Sequence, residues 1–170
     1  MKRLLAPTLV AATVMAAVSA CQPPAPDTAP PDYAATLGPV SNKFMTMWDT
    51  KNSDLFDSIL ATDFRRSAPD QNAGSPAEMK AFVKQVHTAY PDFHIAVDES
   101  AYKENLGFIR WTVTGTNTGD AATKATGKPI KVSGITMVKF RDGKITDEIV
   151  FYDTATLQAQ LGSPGIPHAK

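Results

Sequence analysis

The hydrophobic period of this chain changes once, at Pro91, and that change limits the folds open to it. Before Pro91, apolar residues recur every three or four positions: Leu37, Val40, Phe44, Met47 and Trp48, then Met79, Phe82, Val83, Val86 and Tyr90. From Phe93 onward the period falls toward two, and β-branched and aromatic residues take over. The first pattern belongs to helices buried on one face and the second to half-buried strands. Proline enforces the break, because it has no N–H to donate and its ring crowds the preceding turn. Helices followed by strands, rather than alternating with them, predict an α+β fold in which a curved antiparallel sheet wraps the helices and leaves a pocket between the layers.

The local signals divide the chain further. The first helix is expected to end near Lys51-Asn52, and Ser53 or Asp54 caps a short second one through Leu60. Ser75-Pro76-Ala77-Glu78 is a capping box with proline at the first helical position, so a third helix runs from there to Pro91. Four strands are predicted over roughly 93–102, 107–117, 129–140 and 144–153. Asn105-Leu106-Gly107 suits the first turn, and Asp142-Gly143 the last, since Asp-Gly tolerates the positive φ that a primed turn requires. A final helix spans Thr154 to Leu161 and ends at Gly162.

The N-terminus reads as an address. Met1-Lys2-Arg3 is basic, and the apolar stretch Leu4–Val18 is too short for a bilayer core of about 30 Å, as expected of a secretory signal. Val18-Ser19-Ala20-Cys21 follows, and Cys21 is the only cysteine of the chain. This arrangement resembles the lipobox of bacterial lipoproteins, which implies cleavage before Cys21 and lipid attachment to it, with residues 1–20 removed. Several acyl chains, at ~0.8 kcal/mol per buried methylene, hold a domain firmly to a membrane. Gln22, in place of the Asp common in lipoproteins retained at an inner membrane, points to an outer membrane facing the periplasm. Residues 22–31, QPPAPDTAPP, hold five prolines and nothing large to bury, so 21–34 is expected to be an extended tether. The folded domain is expected over 35–162, with a loose tail at 163–170.

Composition removes several functions. The chain has 17 basic and 17 acidic side chains, and loss of Lys2 and Arg3 with the signal leaves 15 against 17, which gives no electrostatic footprint for nucleic acid. One cysteine permits no internal disulfide and no Cys-rich zinc site. His87 and His94 lack a third ligand at a recognisable interval and His168 is in the tail, so no metal site is read and no cofactor is expected.

A series of short motifs runs in order through the domain: Tyr90-Pro91-Asp92-Phe93-His94, Arg110 to Gly119 (RWTVTGTNTG), Thr126-Gly127-Lys128, Asp142-Gly143-Lys144-Ile145, and Tyr152-Asp153 with Leu157 to Gly162. The series resembles the SnoaL-like polyketide cyclase, or ester cyclase, branch of the nuclear transport factor 2-like superfamily, over residues 36–162. That resemblance implies a conical α+β barrel around an apolar pocket, often paired into a homodimer through the outer sheet face. It also implies an acid/base Asp on the last long strand, three residues before the Tyr-Asp aspartate. Here that position is Val150, and the family's His on the preceding strand matches Thr136. An isopropyl group has no proton to exchange, so the family's ring closure is expected to be lost.

The remaining candidates surround that position. Glu148 lies two residues before Val150, about 7 Å along the strand and on the same face. Strand alternation sets Ile145, Ile149 and Phe151 on the opposite, more apolar face, which favours a solvent-facing Glu148, whereas the resemblance places it in the pocket. If it lies inside, Glu148 is the candidate acid/base group, with Tyr152 or an arginine as oxyanion partner. Arg65 and Arg66 are candidate ligand contacts, and Trp48, Phe64, Trp111 and Tyr152, with Thr136 and Val150, the candidate pocket lining. Three functions stay open on this reading. One is a lipid-anchored domain that binds a small apolar or amphipathic molecule, another a proton-transfer enzyme (cyclase, isomerase or hydratase) using Glu148. The third is an envelope interaction module presenting Ile135, Met137, Ile149 and Phe151.

Overall fold

The computed structural model describes residues 31–121 and 124–162. The signal segment, Cys21, most of the tether, and the tail with His168 lie outside the described residues. The elements are α1 (Tyr33–Met47), a 3-10 turn (Ser53–Ser58), β1 (Leu60–Ser67), α2 (Pro76–Ala89), β2 (His94–Lys103), β3 (Leu106–Thr116), β4 (Pro129–Arg141), β5 (Lys144–Tyr152) and α3 (Thr154–Leu161). The layout is α+β as expected, but the sheet has five strands in the order β1-β5-β4-β3-β2. Three pairings are antiparallel, and β1 lies parallel to β5, so the sheet is mixed.

Capping residues set the helix starts. Asp32 accepts from the Ala35 N–H at 3.0 Å, which opens α1 at Tyr33, inside the stretch assigned by sequence to the tether. α1 stops at Met47, short of the expected Lys51-Asn52, and Asn52 caps the 3-10 turn by accepting from Asp54 N. Ser75 Oγ accepts from Glu78 N as the capping box requires, but Glu78 reaches past Ser75 and accepts from Gly74 N at 2.7 Å. Gly162 closes α3 at φ 85°, the left-handed conformation that favours glycine.

The inner face of the sheet follows from alternation on β3 and β4. Ile109, Trp111 and Val113 on β3, and Ile130, Val132, Thr136, Val138 and Phe140 on β4, are buried against the helices. Gly134 interrupts the β4 series at the cross-strand partner of Trp111. A methyl there would lie 2.5 Å from the indole, so glycine is what lets the Trp111 ring lie across β4. The Asp142-Gly143 turn has φ 52° and 72°, the primed geometry expected. The β2–β3 turn falls one residue earlier than predicted, on Glu104 and Asn105, and Gly107 is inside β3 under Tyr102.

Two features depart from the sequence reading in ways that position the site. β1 is not among the four strands expected from the sequence; its ladder comes from β5, far along the chain. On β5 the register slips where Lys139 faces Asp147 but Phe140 faces Ile145. This bulge puts Ile145 and Thr146 both inside, and shifts the alternation so that Glu148 and Val150 also point inward. The solvent-facing expectation for Glu148 is therefore corrected: a strict period of two was counted across a bulge. The opposite face carries Ile135 and Phe151, 40% and 60% exposed, beside half-buried Met137 and Ile149 and exposed Phe108.

Candidate active site

Between the concave sheet face and α1, α2 and α3 lies an apolar, partly open cavity of about 120 Å³. For scale, a dry protein cavity of about 150 Å³ accepts benzene. Trp48, the residue that caps α1, Phe82 and Val86 of α2, Val113 of β3 and Leu157 of α3 form much of its wall. Its polar groups are Arg66 of β1, Asp70 on the loop after it, Tyr90 after α2, Thr136 of β4, and Glu148 and Tyr152 of β5. Of the residues proposed from sequence, Trp48, Arg66, Trp111, Thr136, Glu148, Val150 and Tyr152 line this one cavity.

Two proposed lining residues are not there. Phe64 is fully buried but packs into the core beside β1. Arg65 is exposed, because its neighbour Arg66 takes the inward side of the strand; its guanidinium donates to the carbonyls of Asp63, Phe64 and Gly74. Asp70 carries no signal in the sequence, and Phe82, Val86 and Tyr90, legible there as a helix face, are cavity lining only in the structure. Asp70 stands four residues after Arg66, a spacing that means little until Arg66 is known to point inward.

Glu148 is the most deeply held charged group, 2% exposed, and Arg66 stands beside it because the two are register partners in the parallel β1–β5 pair. Arg66 Nε lies 3.1 Å from Glu148 Oε2. The N–H is not directed at the oxygen, and neither atom gains a hydrogen bond, so the attraction is Coulombic. The aligned bonds of Arg66 go to Asp70: Nη1 to Oδ1 at 2.9 Å and Nη2 to Oδ2 at 3.3 Å, with Nη1 also donating to the Gln71 carbonyl. The flat guanidinium lies 4.6 Å from the Phe82 ring centroid and 5.9 Å from that of Trp48, a cation in the corner formed by two rings that meet edge to face.

These surroundings set the acid strength. Burial pushes the Glu148 carboxyl from the ordinary 4.5 up to about 7; the Arg66 charge opposes the rise and the Asp70 charge adds to it. Burial likewise raises the phenols of Tyr152 and Tyr90, so both stay protonated donors at neutral pH. Trp111 Nε1 donates to Thr136 Oγ1 at 2.8 Å, which fixes the indole as one wall. A carboxyl that titrates near neutrality, facing an apolar space with hydroxyl donors around it, is equipped to move a proton on or off a carbon beside a carbonyl. Among the described residues no group of three or more His, Cys, Asp or Glu side chains is placed to hold a metal ion.

The profile of the SnoaL-like polyketide cyclase family matches residues 40–161. The chain belongs to that family. Solved structures agree on the fold of this SnoaL-like domain. TsrD of Streptomyces laurentii superposes with a TM-score of 0.69 at 19% identity, over 76% of this chain and 97% of its own. AclR of Streptomyces galilaeus gives 0.67 at 21%, over 79% and 86%. A protein from Catenulispora acidiphila with a ketosteroid isomerase-like fold, solved with trimethylamine, gives 0.65 at 15%, over 74% and 93%. No curated protein matches the chain in sequence.

Proposed function

We propose that this SnoaL-like domain binds a small, largely apolar carbonyl compound and that Glu148 exchanges a proton with it. The observation that carries this is a fully buried carboxyl in the wall of an apolar cavity, brought by burial to an acid strength of about 7. Val150 and Thr136 stand where the family's Asp and His are expected, so Glu148, displaced by two residues on the same strand face, serves as the acid/base group instead. Tyr152 and Tyr90 line the same cavity as donors for the oxygen that gains charge. Pure binding without chemistry is the second reading, favoured by the loss of that Asp.

The test is deuterium exchange in D2O. A panel of neutral ketones and esters, each with a ring or chain small enough for the cavity, is incubated with the full chain at pH 7, and α-proton loss is followed by NMR. Accelerated exchange of at least one compound is expected. A thermal shift with no exchange for any compound would reduce the domain to a binding module.

Two further parts of the reading concern where and how it works. Cys21 carries the lipid that holds the domain to a bacterial envelope membrane, supported by the basic, apolar and small-residue segments before it. Expressed in a bacterium, the chain is expected in the membrane pellet, and Cys21→Ser is expected to move it to the soluble fraction; a variant that stays in the pellet removes the anchor. Two copies pair through the outer sheet face, where Phe108, Ile135 and Phe151 are exposed together. Phe151→Asp is expected to halve the sedimenting mass of the protein, and a wild type that sediments as a monomer removes the dimer.

A further inference from the structure

Arg66 carries one positive charge and two carboxyls compete for it. Its fork is taken by Asp70, which engages Nη1 and Nη2 together, while Glu148 meets only Nε, off the N–H direction. The arrangement is built by the backbone. Arg66 N donates to Ala73 O at 2.8 Å and Ala73 N to Arg66 O at 3.0 Å, so the loop leaving Arg66 returns to its own starting point. Gln71 N and Ala68 N donate to the Asp70 and Asn72 side chains, which tightens the loop and carries Asp70 back over the guanidinium. Asp70, with its side chain 32% exposed, is at the solvent side of the group, and Arg66 and Glu148, at 3% and 2%, are beneath it.

We propose that Asp70 is a positioning residue: by taking both ends of the Arg66 fork, it keeps Arg66 from locking Glu148 as a permanent carboxylate. This rests on the reading of Glu148 as the proton-exchanging group. Arginine does not give up its proton, so Arg66 always presents its charge. With Asp70 ionised, Arg66 and Asp70 together are neutral, and ionising Glu148 in an apolar wall has no full counter-charge. Without the Asp70 carboxylate, Glu148 is the anion left in contact with Arg66, and the buried pair holds it ionised. A base already matched to a guanidinium is a poor proton acceptor, and a carboxylate is no acid at all.

Among the described residues nothing else lining the cavity supplies a competing charge. Arg66 on β1 and Asp70 on the following loop are the charged groups at the cavity, and Tyr152 on β5 and Tyr90 after α2 the other titratable ones. The helices and their ends present Met45 from α1 and Trp48 just after it, Phe82 and Val86 from α2, and Leu157 from α3. β2, β3 and β4 present apolar side chains and Thr136.

Carboxyl NMR tests this on the full chain labelled at the glutamate side-chain carbon. The chain has four glutamates, Glu78, Glu99, Glu104 and Glu148, and Glu148→Gln identifies the signal of interest. Asp70→Asn is expected to lower the Glu148 titration midpoint by at least ~1 pH unit, the range of an opposite charge in contact. Asp70→Glu, which restores the charge, is expected to bring it back; a role in loop folding alone predicts no such recovery. A midpoint unchanged in Asp70→Asn overturns the proposal, whatever the exchange assay shows. Should that variant fail to fold, Asp70→Ser removes the carboxylate with a smaller side chain and reads the same shift. An unchanged exchange rate in Glu148→Gln, with the Asp70 shift present, would instead sink the acid/base role and leave the charge sharing intact.

Discussion

Glu148→Gln is expected to slow α-proton exchange by about a hundred- to ten-thousand-fold, the usual contribution of a positioned acid/base group. Glutamine keeps the shape and fills the same wall, so the cavity and its binding of the ligand are expected to survive, and a ligand-induced thermal shift checks that they do. The same variant separates chemistry from stability. In the folded chain Glu148 holds its proton up to about 7, against 4.5 for an ordinary glutamate. A raised carboxyl favours folding while protonated, so its contribution is fully present below pH 4.5 and is lost as pH rises through 7. Over that window the wild type should lose about 3 kcal/mol through this group. Glu148→Gln does not titrate there, and its stability should be flatter between pH 5 and 8 in urea unfolding. At pH 8 the variant therefore carries no such penalty, and lost exchange at that pH reports chemistry, not unfolding. Equal pH slopes for the two proteins would show that Glu148 does not hold a raised proton.

Arg66→Met is the substitution expected to destabilise the fold most, by about 3–5 kcal/mol at alkaline pH, the cost of leaving one buried charge without its partner. Methionine fills the slot beside Phe82 and Trp48, so little of that loss comes from a cavity. The pH dependence identifies the cause. Arg66 lowers the Glu148 titration, and without it the carboxyl rises further and remains protonated over a wider range. Near pH 6 Glu148 is neutral in either protein and the loss is smaller. Above pH 7 the wild type, with Glu148 already ionised beside Arg66, loses no more stability through this group, while the variant keeps losing it until its further-raised carboxyl ionises, and the gap widens toward pH 9. Urea unfolding at the two pH values measures this; a small, pH-independent difference would mean that Arg66 acts only as a packing side chain.

The pair at the centre of both predictions shows how much could be seen in one dimension. The helix faces around Phe44 and Phe82, the switch at Pro91, the Asp142-Gly143 turn and the ordered motifs from Tyr90 to Gly162 are local signals, each carried by neighbours within a few residues. They were enough for the α+β class, the family, and seven residues of one cavity. Three points were not local. β1 is a strand because β5, about eighty residues on, offers it a parallel edge. Arg65 and Arg66 differ because that pairing chooses which of them turns inward. Glu148 is inside because a bulge between Lys139 and Phe140 slips the period after Ile145, and no composition of β5 marks where it falls.

By itself, then, the chain's sequence determined the order of helices and strands, their caps and turns, and the side chains available for chemistry, since these depend on contacts between near neighbours. Only the tertiary structure decided that Arg66, Asp70 and Glu148 meet. Their meeting depends on strand register and on a loop closing over its own start, and it is burial, a property of the whole fold, that turns an ordinary glutamate into a group able to hold and release a proton near pH 7.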